Sequence, residues 1–195
     1  MRAHLPTMIK LINSFEKEFI SKQQPLRVGN VYRNRLDLDK MEYFELFENE
    51  FDRYKLDCGD ILVVEGNGSK DQIGRAAIWR NEIENCVHQN HIIRCRPFKG
   101  FCTPEYLMYF LNSLKGIEIM MELSVTTAGL YSLSTGKLKN ICIPIPPLPE
   151  QEEIVRRVDK LFALADKIEE RYNKVKRQLE RAGKAIYAKA FRGEL

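Results

Sequence analysis

The chain has 195 residues and a hydrophobic share of 44%, enough for the core of one ordinary domain plus an appendage, which excludes wholesale disorder. Its longest apolar runs, such as Ile61–Val64, are far shorter than the roughly 20 residues of a membrane span, and residues 1–22 contain no secretory-type apolar stretch. We therefore expect a cytoplasmic protein with no membrane partner. The net charge of +4 conceals +5 over residues 1–35 and −7 over residues 36–65. A polyanion would avoid the acidic part and approach the basic ones, which is weak support for nucleic acid.

The N-terminal third combines a helical pattern with β-like sequence. Residues 8–21 have the apolar spacing of a short amphipathic helix. Residues 26–32 predict a strand, with turn chemistry at Gly29-Asn30 and at Arg33-Asn34. The acidic residues 36–57 follow no single period, so we predict mixed structure there.

The middle of the chain predicts strands separated by polar loops. A turn over residues 57–60 leads into a buried strand at Ile61–Val64. The glycine-rich stretch 66–72 predicts a flexible loop, and residues 73–79 predict the returning strand. Residues 85–96, rich in Val, Ile and Cys, predict one further strand.

A helix is predicted to begin at Thr103, with Thr as N-cap, Pro104 in the first helical position and Glu105 in the first turn. Its expected apolar face consists of Tyr106, Leu107, Phe110, Leu111 and Leu114. Residues 137–145 predict extended structure, and the prolines of 143–149 predict a stiff extended exit, because each proline disfavours helix at the residue before it.

From Pro149 onward the sequence predicts one long helix. Apolar residues alternate at steps of four and three for more than four heptads, which is typical of a coiled-coil seam. The seam residues are Ile154, Val158, Leu161, Ala165, Ile168, Tyr172, Val175, Leu179, Ala182 and Ile186. About 40 helical residues span roughly 60 Å, longer than one domain of this size can cover. We therefore expect this helix to pair with another helix. Tyr172, the two alanines and Gly183 make the seam less regular.

Sequence signatures of catalysis or metal binding are missing. The chain contains no phosphate loop, no nucleophile elbow and no metalloprotease motif, so we predict neither a catalytic site nor a cofactor. The five cysteines are odd in number and include no C-x-x-C pair, which argues against disulfides and zinc and leaves single buried or half-buried thiols. These are Cys58, Cys86, Cys95, Cys102 and Cys142.

Five segments, in order, resemble the specificity subunits of type I restriction-modification enzymes. The segments are G-D-I-L-V-V-E-G-N-G-S-K-D-Q-I-G-R-A-A-I-W (59–79), H-Q-N-H-I-I-R-C-R-P (88–97), P-E-Y-L-M-Y-F-L-N-S (104–113), L-Y-S-L-S-T-G-K-L-K-N (130–140) and I-P-I-P-P-L-P-E-Q-E-E-I-V-R-R-V-D-K-L (143–161). The likeness extends from residue 26 to residue 195, and its most specific part is the proline-rich exit followed by the E-Q-x-x-I-V helix.

The resemblance implies an α+β fold, in which a mixed α/β target-recognition domain precedes a long coiled-coil helix. The expected divisions are an N-terminal segment of unclear origin (1–24), the recognition domain (25–148) and the helix (149–195). Full-length family members carry two recognition domains and two helices in pseudo-twofold arrangement. Each domain reads half of a split DNA site, and the helices set the gap. With one of each, this sequence resembles a half-subunit or a C-terminal half, for which we expect a homodimer through the helix.

The resemblance also implies partners. They are double-stranded DNA, a modification subunit that methylates adenine with S-adenosylmethionine, and a restriction subunit. The cofactor would be held by the modification subunit, and the chain itself would not be an enzyme.

Side chains that reach base edges or phosphates are expected on loops and strand ends. The candidates are Arg33, Asn34, Arg35, Asn67, Ser69, Lys70, Gln72, His88, Gln89, Asn90, Thr126, Thr127, Tyr131 and Ser132. Gly66, Gly68, Gly74 and Gly129 are expected to permit turns rather than to make contacts.

Two other readings remain open. A helix-pairing assembly module that reads no DNA would be consistent with the acidic segment 36–65 and the modest net charge. A nuclease or methyltransferase would need the metal and cofactor motifs that the sequence lacks.

Overall fold

The structure is a computed structural model. It describes residues 19–23, 25–39, 41, 44–127 and 129–194. The chain divides into two units, Met1–Gln151 and Glu152–Leu195. Much of the predicted 8–21 helix, and most of the N-terminal segment 1–24, lies outside the described residues.

Short strands and helices alternate along the first unit. The strands are β1 (Phe19–Gln23), β2 (Pro25–Leu26), β3 (Val31–Tyr32), β4 (Arg35–Leu36), β5 (Phe44–Phe47), β6 (Ile61–Val64), β7 (Gly66–Asn67), β8 (Ala76–Ile78), β9 (Val87–His88), β10 (Ile92–Cys95), β11 (Val125–Thr127) and β12 (Leu130–Ser132). The helices are α1 (Glu48–Tyr54), α2 (Pro104–Asn112), α3 (Leu114–Leu123), α4 (Thr135–Lys139) and α5 (Leu148–Phe191). This mixture, followed by one long helix, confirms the predicted fold class.

A three-stranded antiparallel sheet, β10-β6-β8, forms the centre of the first unit. Ile61 of β6 pairs with Cys95 of β10 and with Ile78 of β8. A second sheet has the order β11-β12-β7, and smaller pairs join β1 to β5, β2 to β9 and β3 to β4. The sequence predicted the buried strand Ile61–Val64 correctly.

Both faces of β6 are buried, because its four side chains alternate between two hydrophobic clusters. Ile61 and Val63 face the cluster that contains Met108 and Leu111 of α2 and Met120 of α3. Leu62 and Val64 face the other cluster, with Leu26, Val31, Leu56 and Trp79 as the main contacts on that side. An unbroken apolar run is what a strand covered on both faces requires.

Helices α2 and α3 cover one face of the central sheet. Thr103 caps α2 as predicted, since its side chain accepts a hydrogen bond from the Tyr106 N–H. Leu114 was wrongly assigned to the apolar face of this helix: it is 83% exposed. The reason is that α2 ends at Asn112 and Ser113 caps a new helix there, which turns Leu114 outward.

The predicted turn chemistry at Gly29-Asn30 is confirmed, because Val28–Asn30 forms a 3-10 turn, and this turn divides the predicted strand 26–32 into β2 and β3. The side-chain Oδ1 of Asn30 accepts from the Arg27 N–H at 2.9 Å, a local bond that competes with strand pairing. The strand predicted over 85–96 is likewise two short strands, since Ile92 N–H bonds to Asn90 and closes a turn between them.

Five further local predictions need correction. Residues 19–23 are a strand, not the end of a helix. The predicted loop 66–72 contains β7 and a 3-10 turn at Lys70–Gln72, and the returning strand is confined to β8. Part of the predicted extended segment 137–145 is helix α4, which Ser134 caps by accepting from the Lys137 N–H. Two of the five thiols, Cys58 and Cys142, are exposed rather than buried.

Helix α5 runs for 44 residues and starts at Leu148, one residue earlier than predicted. Gln151, completely buried, fixes its first turn: Oε1 accepts from the Thr103 N–H at 2.9 Å, and Nε2 donates to the carbonyls of Phe101 and Pro146 at 2.8 Å. Within the part of the chain that the structure describes, no helix is apolar enough over a sufficient length to cross a membrane.

Candidate nucleic-acid interface

Loops from several parts of the chain emerge at one end of the central sheet, the end at which β6 finishes. There Val64 pairs with Ile92, the first residue of β10, and Val63 pairs with Ala76, the first residue of β8. The loop after β6 and the turns before β8 and β10 therefore meet at this end. We call this surface the loop end.

Main-chain hydrogen bonds bring the predicted segments together at the loop end. The Asn34 N–H of the first turn donates to the Ala76 carbonyl at 3.0 Å. The Glu65 N–H donates to the His91 carbonyl at 2.9 Å, and the Leu133 N–H donates to the Glu65 carbonyl at 2.7 Å. Four groups of candidates that are far apart in sequence thus lie around one sheet end.

The glycine-rich segment and the later hairpin form one small sheet. Tyr131 of β12 pairs with Asn67 of β7, and Ser132 pairs with Gly66. On its other side Tyr131 pairs with Thr126 of β11. Neighbouring strands lie about 4.8 Å apart, so these polar side chains form a continuous patch.

The candidates differ in how much of each side chain reaches solvent. The exposed ones are Arg35, Ser69, Lys70, Gln89, Asn90, Thr126 and Ser132. The half-buried ones are Arg33, Asn34, Asn67, Gln72, His88 and Tyr131. The side chain of Thr127 lies outside the described residues.

Arg33 and Asn34 are held in place by contacts within the chain. Arg33 donates from Nη2 to the main-chain carbonyl of Asp71 at 2.6 Å and from Nη1 to Oδ1 of Asn112 at 3.3 Å. Asn34 has a φ of 63° and accepts at Oδ1 from Asn112 Nδ2 at 2.7 Å. These side chains fix the shape of the turn, and Asn34 tolerates its positive φ because asparagine is one of the residues that do.

Asn112 and Arg75 were both missed as parts of this surface. A polar residue that ends the apolar helix α2 was the signal for Asn112. For Arg75, the signal was an arginine directly before a buried strand. Arg75 donates from Nη2 to the Val28 carbonyl at 3.2 Å and from Nη1 to Oε1 of Gln72 at 3.2 Å.

Positive charge gathers around Tyr32 at the loop end. The guanidinium carbons of Arg35 and Arg75 lie 4.8 Å and 5.5 Å from the ring centroid of Tyr32. Burial lowers the pKa of Arg33 and of Arg75, and the charge of Arg75 lowers the pKa of Arg33 further, while Asp71 raises it. Both remain cations, since arginine does not deprotonate in proteins.

His88 points inward, unlike its neighbours Gln89 and Asn90. Its ring lies edge-on to Tyr54 at 5.4 Å between centroids, and Nδ1 lies 3.2 Å from the Gln89 carbonyl. Burial lowers the pKa of His88. This side chain packs beside β2 rather than facing solvent, whereas Gln89 and Asn90 are presented at the loop end.

The opposite end of the central sheet contains a cleft of about 320 Å³ beside Cys58 and Asn81. The described residues include no group of three His, Cys, Asp or Glu side chains placed to hold a metal ion. Arg96 occupies this end and donates to both carboxylate oxygens of the buried Asp60, at 2.6 Å and 2.7 Å. These contacts fix the strand end.

Comparison with solved structures shows the fold. The HsdS subunit from Thermoanaerobacter tengcongensis superimposes with a TM-score of 0.57 at 15% identity, over 76% of this chain and 37% of that one. Its likeness agrees with the mixed domain and long helix described above.

Sequence comparison shows the family. Residues 10–177 match the family described as type I restriction modification DNA specificity domain. The EcoKI specificity subunit of Escherichia coli (strain K12) is 36% identical over 87% of this chain and 37% of its own length. The StySPI specificity subunit of Salmonella potsdam is 36% identical over 86% of this chain and 34% of its own length. The chain thus spans about a third of the curated relatives it matches. Because the family match covers most of its residues and these relatives are 36% identical, the chain belongs to the type I restriction-modification DNA specificity family.

Proposed function

We propose that this chain reads one half of a split DNA sequence, and that its long helix pairs with a second such helix to present two readers. The observation that carries the proposal is the convergence of four polar segments on one end of the central sheet. Main-chain bonds such as Glu65 to His91 connect these segments into one surface. A rigid surface is what sequence reading needs, because bases are distinguished by hydrogen-bond geometry at fixed positions.

Exposed amides, hydroxyls and amines at the loop end have the chemistry for this reading. Lys70 can donate to guanine in the major groove, and the exposed amide of Gln89 can pair with adenine. Ser69 and Ser132 have hydroxyls that donate and accept. The half-buried Arg33 and Asn34, which are engaged within the chain, support the shape of the surface.

The chain's own role in this proposal is recognition without catalysis. A modification subunit would methylate adenine with S-adenosylmethionine, and a restriction subunit would cleave. Both would be directed to the target by the domain described here. Family membership supports this proposal, since the curated relatives are specificity subunits.

Exposed apolar residues of α5 support helix pairing. In the single chain Leu161 is 67% exposed, Ile168 is 59% exposed and Leu179 is 69% exposed. Such a stripe along 44 residues is costly in water and favourable when it is buried against a second helix. We propose a second copy of the chain as the partner in a symmetric dimer.

The charges of α5 favour antiparallel pairing. Residues 150–170 carry 7 acidic and 4 basic side chains, whereas residues 171–191 carry 7 basic and 1 acidic. Two parallel copies would bring like charges together along their length. An antiparallel pair places each acidic half beside a basic half, and opposite charges at the flanks of a seam stabilise the pairing.

Apolar residues beside the seam support a further helical partner. Phe162 is 45% exposed and Leu164 is 55% exposed, and they lie on opposite flanks of the stripe beside Leu161 and Ala165. A two-helix seam is narrower than this. We propose that helices of the modification subunit cover these flanks.

Co-expression with the modification subunit of its system, followed by mapping of methylated adenines across the genome, tests the reading function. We expect an interrupted palindrome, because a symmetric dimer presents two identical readers in opposite orientation. Lys70→Ala is expected to reduce or relax methylation at that site, whereas Lys99→Ala, on the loop beyond β10, is the charge-matched control. Methylation that is absent, or indifferent to sequence, would contradict the proposal.

A second candidate is an assembly module that pairs helices without reading DNA. Residues 36–65, with a charge of −7, favour it because they would repel a duplex. Salt-dependent duplex binding that Lys70→Ala weakens would exclude this alternative. Stable association with the modification subunit, without any DNA binding, would establish it.

A further inference from the structure

Arg35 and Arg75 lie over the ring of Tyr32 at the loop end, and Arg33 lies near Arg75. Arg75 was not among the residues predicted to touch DNA. We propose that this arginine cluster (Arg33, Arg35 and Arg75, with the ring of Tyr32) is a phosphate-anchoring site that sets the register of the domain on duplex DNA. The proposal rests on the proposed function, because it names the part of the ligand that the cluster binds.

The geometry places the three cations on adjacent elements. Arg35 begins β4, Arg75 directly precedes β8, and Arg33 lies in the turn between β3 and β4. The ring of Tyr32 lies beneath the guanidinium groups of Arg35 and Arg75, at 4.8 Å and 5.5 Å. A ring in this position orients a planar guanidinium group and still leaves its edge available to an oxygen ligand.

The hydrogen-bond acceptors of Arg33 and Arg75 are neutral groups, although the Asp71 carboxylate lies near enough to raise the pKa of both arginines. Arg33 donates to the Asp71 carbonyl and to the Asn112 amide, and Arg75 donates to the Val28 carbonyl and the Gln72 amide. Each bond fixes a guanidinium without neutralising it.

Several arginines elsewhere in the chain are paired with carboxylates, whereas Arg94 donates to the Lys55 carbonyl. Arg96 bonds to Asp60 and Arg80 to Glu105, at 2.6 Å and 3.0 Å. Arg156 bonds to Glu153 at 2.6 Å. A bonded carboxylate compensates the charge of these three arginines, whereas the hydrogen-bond acceptors of Arg33 and Arg75 do not.

Phosphate fits this cluster better than a base edge. Guanidinium groups bind phosphate oxygens in pairs, and a phosphate contact fixes position without reading sequence. Arg33 and Arg75 are half-buried and tied by hydrogen bonds, so they cannot extend deep into a groove. The phosphates lie on the outside of the duplex, where side chains close to the protein surface can contact them. Base edges lie inside the grooves, so a side chain must extend to reach them. Reading is left to the exposed loop side chains such as Lys70.

The salt dependence of duplex binding by the full chain tests the proposal. We would measure fluorescence anisotropy with a labelled random-sequence duplex over a series of NaCl concentrations. The slope of log K against log salt is negative, and each lost phosphate contact reduces its magnitude by about 0.9. Arg35→Gln and Arg75→Gln are each expected to lower it by about that amount, and Lys99→Gln, which removes the same charge beyond the other sheet end, is expected to leave it unchanged.

Tyr32→Leu separates positioning from net charge, because it removes the ring and keeps all three cations. We expect reduced affinity and a reduced slope; wild-type behaviour would mean that charge alone matters and would overturn the site as proposed. Circular dichroism monitors folding, and the exposed Arg35 keeps the test valid if Arg75→Gln destabilises the domain. Unchanged slopes in Arg35→Gln also overturn the anchoring site.

The outcomes separate this proposal from the proposed function. If the wild-type chain binds a specific sequence and the cluster variants leave the salt slope unchanged, the phosphate-anchoring proposal is rejected and the reading function is retained. If the cluster variants weaken binding to a random duplex but no methylated target sequence is found, the anchoring proposal is retained and the reading function is rejected. A wild-type chain that binds no duplex, even with the modification subunit, overturns both.

Discussion

The side-chain amide of Asn112 bonds to both main-chain polar groups of Ala76: Nδ2 donates to the Ala76 carbonyl at 2.7 Å and Oδ1 accepts from the Ala76 N–H at 3.1 Å. Ala76 lies in β8, the edge strand of the central sheet. Asn34 also donates its N–H to the same carbonyl. Two asparagines thus satisfy the outer edge of this strand where a further strand would otherwise pair.

Replacement of Asn112 by alanine tests this edge. The change leaves the buried N–H of Ala76 without its acceptor, and we expect the free energy of unfolding to fall by about 1–3 kcal/mol. Urea denaturation measures the loss. Asn140→Ala, at an exposed position after α4, should change stability little; equal losses in the two variants would mean that the pairing contributes nothing special.

Gly74 is held against α3. Its φ is +68°, and a Cβ built there would lie 1.9 Å from Sδ of Met120. We expect Gly74→Ala to destabilise the first unit by about 1–3 kcal/mol, because the strained backbone and the overpacked core act together. Thermal unfolding compares the melting temperature of Gly74→Ala with that of Gly68→Ala, in which the added Cβ would meet nothing within 4 Å. A melting temperature for Gly74→Ala as high as for the control would be inconsistent with this packing.

The buried thiol of Cys86 is expected to make the free energy of unfolding decrease as the pH rises above 9. Burial raises its pKa from 9.0 to about 12. Above pH 9 the unfolded chain releases this proton while the folded chain keeps it, so stability present below pH 9 is lost as pH rises towards 12. The limiting slope is about 1.4 kcal/mol per pH unit. We expect unfolding free energies measured between pH 9 and 11 to fall less steeply in Cys86→Ala; parallel curves would contradict the assignment.

Association through α5 is tested at the centre of the seam. Ile168→Asp places a charge where the partner helix would pack, and we expect light scattering at micromolar concentration to change from dimer to monomer. Asn173→Asp adds the same charge to the same helix away from the seam and should remain dimeric. A wild-type chain that is monomeric under these conditions refutes the homodimer.

The orientation of the two helices is tested with a single pyrene label. In a background of Cys58→Ser and Cys142→Ser, Glu194→Cys provides a labelling position beside the end of α5. An antiparallel pair that overlaps fully separates the two labels by about the 66 Å length of 44 helical residues, so excimer fluorescence should be absent. Strong excimer emission from the dimer would indicate parallel helices instead.

Sequence patterns predicted best what local chemistry controls. The apolar run at Ile61–Val64, the Thr103 cap and the long helix were all correct, because each depends on residues that are adjacent or one turn apart. The strands predicted over 26–32 and 85–96 are each divided by a turn, and only the first turn, at Gly29-Asn30, was predicted. Side chains such as that of Asn30 bond to nearby main-chain groups and divide an otherwise β-like run.

The assembly of the loop end could not be predicted from local sequence. Polar candidates near residues 33, 67, 90 and 131 were identified from the sequence, but their meeting depends on the sheet order β10-β6-β8 and on the pairing of β7 with β12. Asn112 acts across 36 residues and Arg75 across 47, so no pattern of spacing marks them. The DNA contacts themselves stay predictions.

Main-chain bonds connect the segments of the loop end, and this affects how such a surface can change. The pairing of Tyr131 with Asn67 and the bond from Glu65 to His91 persist whatever side chains these residues carry. Exposed positions such as Ser69 and Ser132 can therefore be exchanged while the frame holds. A library randomised at these two positions should therefore contain mostly folded members, and under the proposed reading function such point changes would alter the target sequence on a constant scaffold.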